Sequence, residues 1–161
     1  MDHTKLLFVM RGLPGSGKST VVNDHILQED EFNFQVVCQD DVRSALGISH
    51  NGEGWTPEKE DKVKDVTNNQ LLALMKRGLD IVVDETNTTL KKLYQFQELA
   101  DIYGYCMLVV WVDTPVETCK ERRVSQGFPE EVIDRMDATM ELSEEEFKQN
   151  FNYTRLTEED I

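Results

Sequence analysis

Residues 12–19 read Gly-Leu-Pro-Gly-Ser-Gly-Lys-Ser, and this short stretch constrains the chain more than any other. Its spacing is G-x-x-x-x-G-K-[ST], in which glycines let successive backbone N–H groups turn inward around phosphate oxygens while the next helix adds its positive end. The apolar residues 6–10 supply the strand that must precede such a loop, and residues 21–27 the helix that must follow. A glycine-rich turn that only joins a strand to a helix is the weaker reading, because both flanking elements are present in the required order. The donor-site candidates are therefore Gly12, Leu13, Pro14, Gly15, Ser16, Gly17, Lys18, Ser19 and Thr20. Lys18 is the mobile cation that reaches the outer phosphates, and it is also a catalytic candidate. The Ser19 hydroxyl is a ligand for Mg2+, so the loop predicts ATP or another nucleoside triphosphate together with a divalent metal.

Length and charge narrow what else is possible. A chain of 161 residues with 39% hydrophobic content is long enough for one domain with a real core. Its 17 basic and 31 acidic residues give a formal charge of −14, which repels nucleic acid at long range and argues against extended non-specific binding. Any polynucleotide acceptor must then be held locally. Three cysteines, Cys38, Cys106 and Cys119, lack C-x-x-C spacing. They read as structural thiols in a reducing, cytoplasmic protein with no signal peptide. No apolar run approaches the ~20 residues that cross a bilayer, so no membrane partner is expected. His3, His25 and His50 show no metal-ligand spacing.

Apolar strands alternate with amphipathic helices along the chain. Strands are expected at about 5–11, 35–38, 80–83 and 105–112, most of them short buried-type runs. Helices are expected at about 18–28, 57–77, 90–103, 115–126 and 129–141. Thr56 and Thr114 are the expected N-caps of the second and fourth, Pro57 stands at N1 of the second, and Gly78 and Gly104 close the second and third. The pattern predicts a single α/β domain over 1–161, a three-layer P-loop NTPase fold with a mainly parallel sheet of four or five strands. Right-handed crossovers then gather all strand C-termini on one edge.

The chemistry-bearing side chains fall at those strand ends. After the second strand come Gln39, Asp40, Asp41, Val42 and Arg43. Phosphoryl transfer to an alcohol needs a carboxylate to accept the hydroxyl proton and a cation to position an anionic acceptor, which makes Asp40 the candidate base and Arg43 the clamp. Asp41 reads as the cap of a short helix at 42–46. The third strand delivers Asp84 and Glu85, either of which can hold Mg2+ opposite Ser19, followed by Thr86 and Asn87, which can orient a phosphate or the acceptor. Arg122 and Arg123, at a basic helix end before Gly127, Phe128 and Pro129, read as a lid that closes over the triphosphate. Compensation of the helix dipole is the plainer role for one of them.

The strongly acidic stretch of about 141–161 is expected to open a short helix at Ser143 and to carry Phe147, Phe151, Tyr153 and Leu156 along it as a packing extension. Trp55, in the glycine-rich segment 49–56, keeps two readings: a platform for an acceptor base, or a core residue at the loop base.

Over residues 6–140 these motifs resemble the P-loop kinases related to the phage polynucleotide 5′-hydroxyl kinase domain. The resemblance rests on the loop with its following Thr20, on Asp40-Asp41-Val42-Arg43, on Glu85-Thr86-Asn87 in place of Asp-Thr-Asn, and on Arg122 with Pro129-Glu130-Glu131-Val132-Ile133. It implies that Asp40 is the general base, that Arg43 contacts the acceptor's phosphate and that Arg122 contacts the donor. Gln39 replaces a basic residue of the phage pattern, Glu85 an aspartate, and Gln126 a second lid arginine. The wider group includes kinases of small molecules, of toxin substrates and of hydroxymethylated bases.

Two function classes follow. A kinase needs a base aimed at a foreign hydroxyl, whereas a nucleotide-binding switch or NTPase needs a positioned water and segments that order with the nucleotide. Asp40 and Arg43 favour the kinase, with a polynucleotide 5′-OH end as acceptor ahead of a hydroxymethylated base in DNA or a small-molecule hydroxyl.

Overall fold

The computed structural model describes residues 3–161. Strand β1 (Leu6–Arg11) is the middle of the sheet because its side chains are apolar on both faces: Leu7, Val9 and Met10 have no exposed surface. Strands of this kind need cover on two sides and form parallel sheets. The others are β2 (Gln35–Val37), β3 (Ile81–Val83), β4 (Cys106–Val112) and β5 (Tyr153–Leu156). Five strands lie in the order β2-β3-β1-β4-β5, and every neighbouring pair is parallel. Alternation along β4 splits the core between two faces. Met107, Val109 and Trp111 join Leu71, Met75, Leu93, Phe96 and Phe147 on one side, and Val110 and Val112 join Val21, Val22, Ile26 and Phe34 on the other.

The helices are α1 (Lys18–Val21), which continues as a π-helical turn over Val22–Ile26, then α2 (Gln39–Ala45), α3 (Pro57–Lys76), α4 (Leu90–Tyr103), α5 (Val116–Val124) and α6 (Glu130–Asn150). The caps of α3 and α4 follow from their sequences. Thr56 accepts a hydrogen bond from the Lys59 N–H with Pro57 at N1, and Thr89 caps α4, which Gly104 closes. Among the described residues no helix is long and apolar enough to cross a membrane.

Three expected boundaries are corrected. Helix α2 starts at Gln39, so Asp40 and Asp41 lie inside its first turn and Asp41 is not the cap; Cys38, in an extended conformation, stands at that position. Two carboxylates there complement the positive helix end. Thr114 does not cap α5, because its hydroxyl donates to the Ser16 carbonyl at 2.7 Å and leaves Pro115 at the cap position. The C-terminal stretch holds no separate helix beginning at Ser143. Its hydroxyl donates to the Thr139 carbonyl at 2.8 Å in the middle of α6, which runs unbroken to Asn150 with no glycine or proline to stop it. Leu156 ends strand β5 rather than lying on a helix.

The aromatic residues of this stretch do pack. Phe147 is 1% exposed and meets Trp111 edge-on at 5.8 Å between ring centroids, with Tyr153 at 5.1 Å and Phe151 at 5.9 Å from it.

Candidate active site

The loop between β1 and α1, the first turn of α2, the end of β3 and the lid around α5 all border one cleft of about 1360 Å³. Parallel topology accounts for the convergence, since each of these segments leaves a strand at its C-terminal end. The Gly12 N–H donates to the Thr86 carbonyl at 3.0 Å, which ties the start of the phosphate loop to the end of β3. Gly15 has φ +84°, and a Cβ there would lie 2.9 Å from the Cys119 carbonyl and 2.6 Å from Arg123 Cγ. Glycine is what lets α5 close down on the loop.

Lys18 is buried, and its ammonium donates to the carbonyls of Gly12 at 3.0 Å and Leu13 at 2.8 Å. Burial lowers its pKa to about 8, with Asp84 pulling the other way. A desolvated ammonium that meets only neutral oxygens, the two carbonyls and the Ser16 hydroxyl at 3.4 Å, is a fit for an anion. The Ser19 hydroxyl donates to Asp84 Oδ2 at 2.9 Å, so a hydroxyl and a carboxylate oxygen stand as neighbours beside the loop. Oxygen pairs of this type suit Mg2+. Burial raises the Asp84 carboxyl, opposed by the Ser19 hydrogen bond and by Lys18. Glu85, its neighbour, is raised by burial to about 7 and makes no such pair with Ser19.

On the opposite side of the cleft Arg43 gathers three partners. Its Nε and Nη2 donate to the two oxygens of Glu60 at 3.1 and 2.7 Å, Nη2 also to Gln39 Oε1 at 2.9 Å, and Nη1 to Asp40 Oδ1 at 2.8 Å. Burial works against the Arg43 charge, but the hydrogen bonds to Glu60 and Asp40 outweigh it and its pKa is raised. The Asp40 side chain keeps 63% of its surface exposed, open to the cleft.

Lid and strand-end residues divide into those that face the cleft and those that do not. Thr86 lines it. Asn87 does not face the acceptor side as expected: it is 5% exposed, its side-chain amide donates to the Met10 carbonyl at 2.7 Å, and its own carbonyl accepts from Arg11 at 2.9 Å. With φ +46° at the end of β3, Asn87 turns its side chain into the core. Arg122 Nη1 donates to the Gly15 carbonyl at 3.0 Å, and Nη2 lies 3.5 Å from Glu158. Arg123 donates to the His50 carbonyl at 3.2 Å and stacks over Phe128 at 4.9 Å.

Glu60, Thr114, Arg135 and Glu158 border the cleft as well and had no motif to mark them. Each reaches the site from a different element, and only three-dimensional proximity reveals it. The thiols of Cys38 and Cys119 are pushed up by burial to about 11, in keeping with structural cysteines.

Residues 7–143 match the model of a family described as an AAA domain. Over 135 residues the chain is 25% identical to a protein of Autographa californica nuclear polyhedrosis virus assigned as a bifunctional polynucleotide kinase/RNA ligase, covering 80% of this chain and 20% of that one. A 2′,3′-cyclic-nucleotide 3′-phosphodiesterase of Pongo abelii is 33% identical over 113 residues, 68% of this chain and 24% of its own length. The chain thus spans between a fifth and a quarter of these curated relatives. Among solved structures, a chain of the Pnkp1/Rnl/Hen1 RNA repair complex superposes with a TM-score of 0.76 at 25% identity, over 91% of this chain and 47% of that one. The Mycobacterium tuberculosis APS kinase CysC, in complex with AMPPNP and APS, shares the fold at a TM-score of 0.58 and 18% identity, over 98% of this chain and 90% of its own.

Proposed function

Because the chain belongs to the AAA_33 family of AAA domains, with the fold of P-loop kinases, we propose that it transfers the γ-phosphate of ATP to the 5′-hydroxyl end of a polynucleotide. The observation that carries the reading is the Asp40–Arg43 pair facing the phosphate loop across one cleft. A switch that hydrolyses its nucleotide has no use for a carboxylate and a guanidinium locked together on the acceptor side. The relatives whose names include polynucleotide kinase or RNA repair support the choice of acceptor.

Each residue then has a task. Lys18 exchanges the carbonyls of Gly12 and Leu13 for the donor's phosphates, which stabilise its charge. Ser19 and Asp84 would hold Mg2+, which neutralises phosphate charge when bound. Asp40 accepts the proton of the attacking hydroxyl, and Arg43 directs its uncommitted N–H to the phosphate next to that hydroxyl. Thr86 borders the same side. Arg122 moves from the Gly15 carbonyl onto the triphosphate, where the charge spreads during transfer. A strand end gripped through one or two phosphates needs no extended basic groove, which reconciles the acceptor with a charge of −14.

A labelled γ-phosphate screen over 5′-hydroxyl DNA and RNA oligonucleotides, DNA with hydroxymethylated bases, and free nucleosides tests the reading. Transfer to the 5′-hydroxyl oligonucleotides is expected. Lys18→Ala should abolish it with the circular dichroism spectrum unchanged. Asp40→Asn should lower the rate by ~10²–10⁴ while leaving the ATP dissociation constant in place. Transfer confined to nucleosides or to modified bases would replace the proposed acceptor, and ATP hydrolysis without any transfer would remove the kinase.

A further inference from the structure

Trp55 is not a core residue. It keeps 52% of its surface exposed and borders the cleft together with Arg43 and Glu60. An exposed aromatic face that lines a cleft beside a guanidinium is a surface that a planar ligand can cover. Its backbone is fixed: the Ser49 N–H donates to the Glu53 carbonyl at 2.8 Å, Gly52 to Ser49 at 3.0 Å, and Trp55 to Gly52 at 3.1 Å. At Gly54, φ +84°, a Cβ would stand 2.4 Å from the Gly47 carbonyl. The α2–α3 connection is therefore folded back on itself, Gly54 against Gly47. Glu60, the carboxylate that grips Arg43, borders the cleft beside it. From the lid side Phe128 and Val132 border the same cleft, and the two walls touch where Arg123 donates to the His50 carbonyl.

We infer that Trp55 is the stacking platform for the nucleobase adjoining the phosphate that Arg43 takes, so that this site selects a base-bearing single-stranded end. The inference rests on the kinase reading above for its acceptor. Stacking on an indole is tolerant of sequence, because every base has a π-face. A sugar phosphate without a base would meet Arg43 and leave the platform bare.

The test uses a 5′-hydroxyl dinucleotide and its counterpart lacking both bases, with the donor site filled by a non-hydrolysable ATP analogue. Intrinsic fluorescence reports on Trp55, since Trp111, the other tryptophan, is 5% exposed and Trp55→Phe supplies the blank. The dinucleotide should quench the emission and the abasic compound should not, with the signal gone in Trp55→Phe. In the transfer assay Trp55→Ala should raise KM for a normal oligonucleotide by about 5- to 150-fold, leave KM for an abasic end and kcat for both unchanged, and be rescued by Trp55→Phe. Absence of quenching, or an equal rise on both acceptors, overturns the platform. Quenching without transfer to any oligonucleotide keeps the base site and removes the 5′-end kinase. Transfer that ignores the loss of the base does the reverse.

Discussion

Arg43 commits four of its five N–H groups inside the protein: one from Nε and one from Nη2 to Glu60, a second from Nη2 to Gln39, and one from Nη1 to Asp40. One N–H remains for an outside phosphate, and Asp40 is held by the same guanidinium. Asp40 and Arg43 were legible as base and clamp because both follow the second strand, but their pairing was not, because the helix was expected only at 42–46 and the structure starts it at Gln39. Nor was Glu60, because it comes from α3, 17 residues further on, and one glutamate among the alternating charges of that helix carries no mark. Its carboxyl is held below the ordinary value of 4.5, first by the hydrogen bond from Arg43. A carboxylate with a lowered folded pKa contributes stability that is complete above its unfolded pKa and disappears as pH falls through the folded value. Glu60→Gln should therefore cost about 1.5–3 kcal/mol of unfolding free energy at pH 7, as for a hydrogen bond between charged groups. The gap to the wild type should narrow below pH 4.5 and close in stronger acid. Denaturant melts of both proteins from pH 3 to pH 7 measure it, and a gap independent of pH would show that the contact does not depend on charge.

Element by element, the first four strands and most helices were legible from apolar runs and caps, because Thr56, Pro57 and Gly104 act locally on the backbone beside them. Thr114 misled because its hydroxyl serves a distant partner, the Ser16 carbonyl, and donates where a cap would accept. The lid shows the same division between neighbouring residues. Arg123 packs against Phe128 and lies where a side chain on Gly15 would stand, so it is built into the wall. Arg122 is 48% exposed with a single neutral hydrogen bond and a loose 3.5 Å contact to Glu158, so it is free to exchange partners. Arg122→Ala should lower kcat by ~10²–10³ with a smaller effect on the KM for ATP, because a guanidinium aimed at developing charge counts most in the transition state. Steady-state kinetics on the two single variants decide the matter. Damage confined to Arg123→Ala would exchange the two roles.

At the scale of the whole molecule, the fifth strand was hidden by its company. Residues 153–156 are too short and too polar to read as a strand alone, and β5 forms only because β4 offers an open edge at Val109–Val112 for it to pair with. The long helix α6 brings the chain back to that edge and inserts Phe147 beneath it. This ring does two jobs at once, since it fills the centre of the Trp111, Phe151 and Tyr153 cluster and carries the buried Arg11 guanidinium 4.5 Å above its face. Arg11 is 1% exposed, burial lowers its pKa to about 10, and it immediately precedes Gly12. Losing the ring removes both apolar packing and the π-face that faces a desolvated cation. Phe147→Ala should thus destabilise the protein by about 3–5 kcal/mol, whereas Phe147→Leu, a smaller apolar side chain without a ring, should recover much of the packing and little of the support for Arg11. ATP binding separates the two contributions at a temperature where both variants remain folded. If the leucine variant melts near the wild type and binds ATP more weakly, Phe147 holds the phosphate loop through Arg11. If it binds ATP as the wild type does, the ring serves the core alone and the loop owes its geometry to the Gly12–Thr86 and Ser16–Thr114 hydrogen bonds.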